Sequence, residues 1–117
     1  MLIYDSEERW DSIGDADFKA IFEEYGAYTR ELQEQGKLLG SSRLQPSSTA
    51  VSVQVRDGET LTTDGPFAET KEQLGGYYLI EADSLEDALA WAAKIPSARD
   101  GTIEVRPVMT RNAGVAA

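Results

Sequence analysis

Five side chains in this sequence stand where they could do chemistry: Asp64 in "TDGPF", Lys71 in "ETKEQ", Tyr77 in "GGYYLIEA", Arg106 in "EVRPV" and Arg43 in "SSRLQ". Asp64 is the acid–base candidate. Pro66 has no N–H to give a strand ladder and disfavours helical backbone at Gly65, so the chain must leave its sheet there and present Asp64 at the rim. Two roles are open to that carboxylate: bonding its own downstream backbone to stiffen the corner, or reaching into a cleft as a general acid or base. Arg106 is permanently charged and suits bidentate capture of a carboxylate, but it shares a strand face with Glu104 and can pair with it instead. Arg43 is a second cation of the same kind. Lys71 sits in the charged run Glu69-Thr70-Lys71-Glu72, which reads either as a solvated turn or as a loop holding a positive charge over an anionic ligand. Tyr77 and Tyr78 point to opposite faces of one strand; one belongs to the core, and Tyr77 is the one assigned to a ligand. The preceding Gly75-Gly76 pair marks a bulge or a close backbone approach, with a hinge as the alternative.

What is missing narrows the chemistry further. The 117 residues include no histidine and no cysteine. Nucleophile–histidine machinery is therefore excluded, a transition-metal site would rest on carboxylates alone, and no metal or cofactor is expected. No P-loop, dinucleotide fingerprint or HExxH occurs. Twenty-one acidic residues against eleven basic ones give a formal net charge of −10. Nucleic-acid binding needs the opposite field. No apolar run approaches the roughly 20 residues that span a bilayer, and "MLIYDSEERW" lacks the basic and apolar regions of a secretory signal. The expected setting is cytoplasmic, without nucleic-acid or membrane partners.

The elements that must position these residues follow from periodicity. "MLIY" opens as a strand and "DSEERWDSIGDAD" reads as a loop. Phe18, Ile21, Phe22, Tyr25, Tyr28 and Leu32 recur at helical spacing, predicting a helix from about Ala16 to Gln35, capped by Asp15 or Asp17 and ended by Gly36. "KLLGSSRLQP" is a strand stopped by Pro46. "AVSVQVR" alternates strictly, predicting a half-buried strand with Val51, Val53 and Val55 on one face; Asp57-Gly58 turns it into the returning arm "ETLTT". "GGYYLIEA" is a strand. "DSLEDALAWAAKIP" is a second helix with a capping box at its start and Leu85, Ala88, Leu89, Ala92 and Ile95 facing inward. "TIEVRPV" is the last strand. This order predicts one α+β domain over residues 1–109 and a loose tail over 110–117, with two helices covering one face of an antiparallel sheet. The other face then carries more apolar surface than a monomer exposes, which predicts a homodimer packed sheet to sheet.

The block "DGPFAETKEQLGGYYLIEADSLEDALAWAAKIP", with "IEVRPV" after it, resembles the YCII-related or DGPF-domain family of small bacterial proteins. The resemblance runs from "MLIY" to "EVRPV". It implies a ferredoxin-like α+β fold that dimerises as an α/β barrel, no settled reaction, and a link to extracytoplasmic-function sigma factors by gene neighbourhood. A few distant relatives act on chlorinated aromatic intermediates. Some relatives pair a histidine on the first helix with an aspartate before a proline after the second; those positions correspond here to Tyr25 and Ile95. Tyr25 thereby joins the candidates as a proton donor. The expected site is a cleft around Asp64, Tyr25, Tyr77 and Arg106 that binds a small ligand, and the competing expectation is an accessory protein acting through protein contacts.

Overall fold

The structure, a computed structural model, describes residues 1–109; the expected tail over 110–117 lies outside the described residues. β1 (Leu2–Asp5) is short, and its alternate residues Ile3 and Asp5 are buried. It runs between β5 (Gln73–Ile80) and β6 (Thr102–Glu104), and β2 (Leu38–Arg43) pairs on the far side of β5, giving an antiparallel sheet in the order β2-β5-β1-β6. That order is ferredoxin-like. α2 (Asp15–Glu34) lays Tyr28 and Leu32 against the sheet, and α3 (Leu85–Ala93) lays Trp91 beside them; with Ile3, Tyr78 and Ile95 these form the core. Aspartates in the first turn of α2 oppose its dipole, and Gly36 ends the helix by taking φ 68°. Gly14, rather than either aspartate, is the N-cap. At α3, Ser84 Oγ accepts from the Asp87 N–H while Asp87 accepts from the Asp83 N–H, so the expected capping residues do act there.

Three parts of the predicted fold class are corrected. Among the described residues there are three α-helices, not two: Glu7–Ser12 forms α1, because the Ser6 hydroxyl accepts from the Arg9 N–H and Glu7 and Glu8 occupy the first turn. Five polar residues and a single tryptophan carry no periodic signal, so the stretch reads as a loop. The strands do not share one sheet either. β3 (Val51–Arg56) and β4 (Glu59–Asp64) pair only with each other. Their turn is the predicted one, with Asp57 at φ 52° and Gly58 at φ 78°. Yet Val51, Val53 and Val55 are each about 60% exposed rather than half-buried. Alternation reports that a ribbon has an apolar face, not that anything covers it. Finally, no barrel closes. The four-stranded sheet is open, with β2 and β6 as its edges, and the ribbon that could have extended it stands apart after the 3-10 turn Ser47–Thr49.

The face of the main sheet away from the core is apolar. Register puts Leu2 opposite Tyr77 and Tyr4 opposite Leu74, all turned from the side that buries Tyr78. Leu74, Tyr77 and Leu79 are each about two-fifths exposed.

At Gly101 the main chain passes so close to β1 that a Cβ would lie 2.3 Å from the Tyr4 carbonyl oxygen and 3.1 Å from Asp5 Cγ. Backbone cannot yield as a flexible side chain does. Gly101→Ala is expected to lower stability by about 1–3 kcal/mol, read as a lower midpoint in urea unfolding; an unchanged midpoint would mean that β6 can shift away from β1.

Candidate functional site

The site begins with Asp5, at the C-terminal end of β1. Its carboxylate is 5% exposed. It accepts hydrogen bonds from the Ser6 N–H, from Arg9 Nη2 and from Trp10 Nε1, each at 2.9 Å. One buried anion thus fixes α1 against the sheet and aims the Trp10 indole. Arg9 also reaches Asp100 at 3.5 Å, leaving its buried Nε without a hydrogen-bond partner.

Trp10 meets Phe18 edge to face, with centroids 5.8 Å apart at 83°. Phe18 and Phe22, one turn apart on α2, lie 6.1 Å apart and nearly parallel at 21°. The Arg43 guanidinium lies over both rings, 5.3 Å from Phe18 and 5.8 Å from Phe22. It reaches them from β2, where its cross-strand partner is Gly76. These walls, with Ile21, Tyr25 and Leu44, line a largely apolar cavity of about 520 Å³. Ligand pockets run to about 300–1,000 Å³.

Tyr25 and Ser97 supply the polar end. Their hydroxyl oxygens are 2.5 Å apart, and Ser97 is buried at the start of the 3-10 turn Pro96–Arg99. Behind them the Thr29 hydroxyl donates to the Tyr25 carbonyl at 2.9 Å, so Tyr78 must be the donor in its 2.8 Å contact with Thr29. Tyr28 donates to the Trp91 carbonyl at 2.8 Å. Burial pushes the Tyr25 hydroxyl above the usual phenol range, outweighing the opposite pull of the Ser97 hydrogen bonds. Tyr25 therefore keeps its proton at neutral pH: it can donate a hydrogen bond but is no base.

Tyr28 and Tyr78 are raised in the same way, burial being the largest cause in both. Their sum has a measurable sign. In the unfolded chain the three phenols lose protons near pH 10, the ordinary value, while the folded state still holds them. Their contribution is therefore fully present below pH 10 and lost as pH rises through the higher folded values. Urea unfolding followed against pH should show a stability decline that steepens above about pH 10 and is shallower in Tyr25→Phe. A Tyr25→Phe slope equal to that of the parent would contradict the assignment.

Of the residues singled out by sequence, Tyr25, Tyr77 and Arg43 line this cavity. Lys71 lines a second, more open and more polar depression with Glu7, Glu8 and Glu69. Asp64 is exposed at the end of β4, and Arg106 is exposed and paired with Glu104. Neither is among the cavity's lining residues. Ile95 is in the core, while Ser97, two residues on, is the group that meets Tyr25. Asp5, Trp10, Phe18, Phe22 and Ser97 were not singled out as site residues. The i, i+4 pair Phe18–Phe22 was visible as helix periodicity but not as a wall.

A model of the YCII-related domain matches residues 1–112 of the chain. The protein belongs to the YCII-related family. A relative in Rhizobium meliloti (strain 1021), an uncharacterized protein, is 38% identical over 110 residues, which cover 92% of this chain and 89% of the relative. Within this YCII-related fold, the Tyr25 phenol is hydrogen-bonded to the Ser97 hydroxyl. Both groups hold protons at neutral pH. That pair can polarise or orient a bound group, and it cannot abstract a proton.

Among the described residues, no helix is long and apolar enough to cross a membrane, and no group of three or more acidic residues could hold a metal ion.

Proposed function

We propose that this YCII-related protein binds a small anionic molecule in the cavity between α1, α2 and the β2–β5 edge of the sheet, with Arg43 holding the anion. One observation carries the reading: among the described residues Arg43 makes no ion pair, and it stands on the wall of a largely apolar cavity with its guanidinium braced on two rings. A cation so placed lowers the free energy of an anion that brings its own apolar body. Tyr25 donates a hydrogen bond to the ligand. Arg106 and Lys71 lie off this cavity. Asp64 does too, so the reading is binding, with no acid–base step assigned.

The test is thermal stabilisation by a panel of small carboxylates. A ligand at a hundred times its Kd adds about 2.7 kcal/mol of stability, and Arg43→Gln should abolish that gain, read against the variant's own unliganded melting temperature. No stabilisation by any anion, or undiminished stabilisation in Arg43→Gln, would refute the proposal.

The same reading includes a cytoplasmic homodimer joined through the apolar face that carries Leu74, Tyr77 and Leu79. Light scattering at micromolar concentration should give the mass of two chains, and Leu79→Glu should give the mass of one, because it places charge on that face. A parent protein with the mass of one chain removes this part of the reading.

A second reading is favoured by the valine face of the β3–β4 ribbon, which lies apart from the main sheet: an accessory protein acting through protein contacts, in the sigma-factor setting that the family resemblance suggests. Val53→Thr and Val55→Thr would then weaken a partner contact and leave carboxylate binding intact.

A further inference from the structure

We infer that the ligand is an aromatic monocarboxylate of one or two rings, its ring lying among Trp10, Phe18 and Phe22, its carboxylate on Arg43 and a hydrogen-bond acceptor on the Tyr25 phenol. This rests on the ligand-binding reading above and goes further by naming a chemical class.

Shape argues for a flat molecule. Phe18 and Phe22 are nearly parallel, the Arg43 guanidinium lies over both, and Trp10 stands at 83° to Phe18, so the wall is a ring-lined face closed by a perpendicular one. A planar aromatic can stack on the first and meet the second edge to face, whereas a puckered aliphatic ring does neither. Size sets the number of rings. A cavity of about 150 Å³ already takes benzene, so 520 Å³ leaves room for a second ring or substituents.

Charge argues for a single negative group. Among the described residues the Arg43 guanidinium makes no ion pair, and its planar fork of N–H groups matches one carboxylate. Glu7 and Asp11 line the same cavity, so a second negative charge would meet repulsion. Glu7 is not free to swing away, because both its carboxylate oxygens accept from the Ser47 N–H at 3.1 Å. The acceptor follows from the polar end: a phenol whose contact is a serine hydroxyl can accept a hydrogen bond from Ser97 and turn its own O–H toward the ligand.

Titration calorimetry with benzoate, naphthoate, cyclohexanecarboxylate, benzyl alcohol and phenyl phosphate tests each part. Benzoate should bind roughly three- to tenfold more tightly than cyclohexanecarboxylate, and naphthoate more tightly still. Benzyl alcohol should be about 10- to 100-fold weaker than benzoate, and phenyl phosphate no tighter than benzoate. Phe22→Leu, at an exposed position, should remove most of the aromatic preference, and Arg43→Gln should bring benzoate down to benzyl alcohol. para-Acetylbenzoate should bind more tightly than para-ethylbenzoate in the parent and equally in Tyr25→Phe. Equal binding of benzoate and cyclohexanecarboxylate overturns the aromatic class but leaves the anion site standing; tighter phenyl phosphate overturns the monocarboxylate; equal binding of the two para-substituted acids in the parent overturns the acceptor. Failure of every carboxylate to bind overturns this inference and the parent reading together.

Discussion

Asp5→Ala is expected to lower stability by about 3 kcal/mol. Its carboxylate is buried and takes three hydrogen bonds, two of them from side chains on α1. Removing it leaves the indole N–H of Trp10 and the guanidinium of Arg9 without their acceptor. Truncating one partner of a buried ion pair costs about 3–5 kcal/mol; the lower end applies because Arg9 keeps Asp100 at 3.5 Å and is partly exposed. Against a total of roughly 5–15 kcal/mol, about a fifth to three-fifths of the margin would go. The consequence for binding is separate. α1 has six residues, too few to persist alone, so without Asp5 it should fray and take the Trp10 wall with it. Carboxylate binding should therefore fall in Asp5→Ala even at temperatures where far-UV dichroism shows the rest of the fold intact. Asp5→Asn keeps the shape and one acceptor oxygen and should lose less on both measures. Equal urea midpoints for Asp5→Ala and the parent would refute the argument.

That network also shows where the sequence stops being legible. Strands and long helices announced themselves through repeated apolar positions, and the Asp57-Gly58 turn through backbone chemistry that few other residues tolerate. Asp5 had no such signal: one carboxylate at a strand end looks the same whether it faces water or an indole nitrogen five residues later. The site was half legible. Arg43, Tyr25 and Tyr77 could be named from residue type and position, but what assembles the first two into a wall is a short helix that carries no periodicity and two phenylalanines that read as ordinary helix core. The DGPF corner was legible in the other direction. Its proline and glycine do take the chain off the strand, with Gly65 at φ 92°, yet the corner belongs to the ribbon, so Asp64 ends on an exposed arm. Local chemistry predicted the turn; only tertiary packing decides what the turn faces.

The same distinction separates two leucines that sequence periodicity treats alike. Leu32 and Leu85 were both assigned to inward helix faces, but Leu32 is 0% exposed and Leu85 is 56% exposed. Leu32→Ala should lower stability by about 3–4 kcal/mol, because the lost transfer energy adds to the energy of a cavity that Tyr28, Trp91 and Ile95 cannot collapse into. For a domain of this size that is a fall of roughly 15 °C in melting temperature. Leu85→Ala, on the first turn of α3, should stay within about 0.5 kcal/mol, as surface substitutions do. The reason for the mismatch is the length of α3. Nine residues make two and a half turns, and the Trp91, Ala92 and Ile95 end carries the contact with α2, so the N-terminal turn with Leu85 rises off the core. The pair of measurements tests this reading of the packing: if Leu85→Ala costs as much as Leu32→Ala in the assembled protein, the outer face of α3 is covered in solution by another chain, and the subunit contact must extend beyond the open face of the sheet.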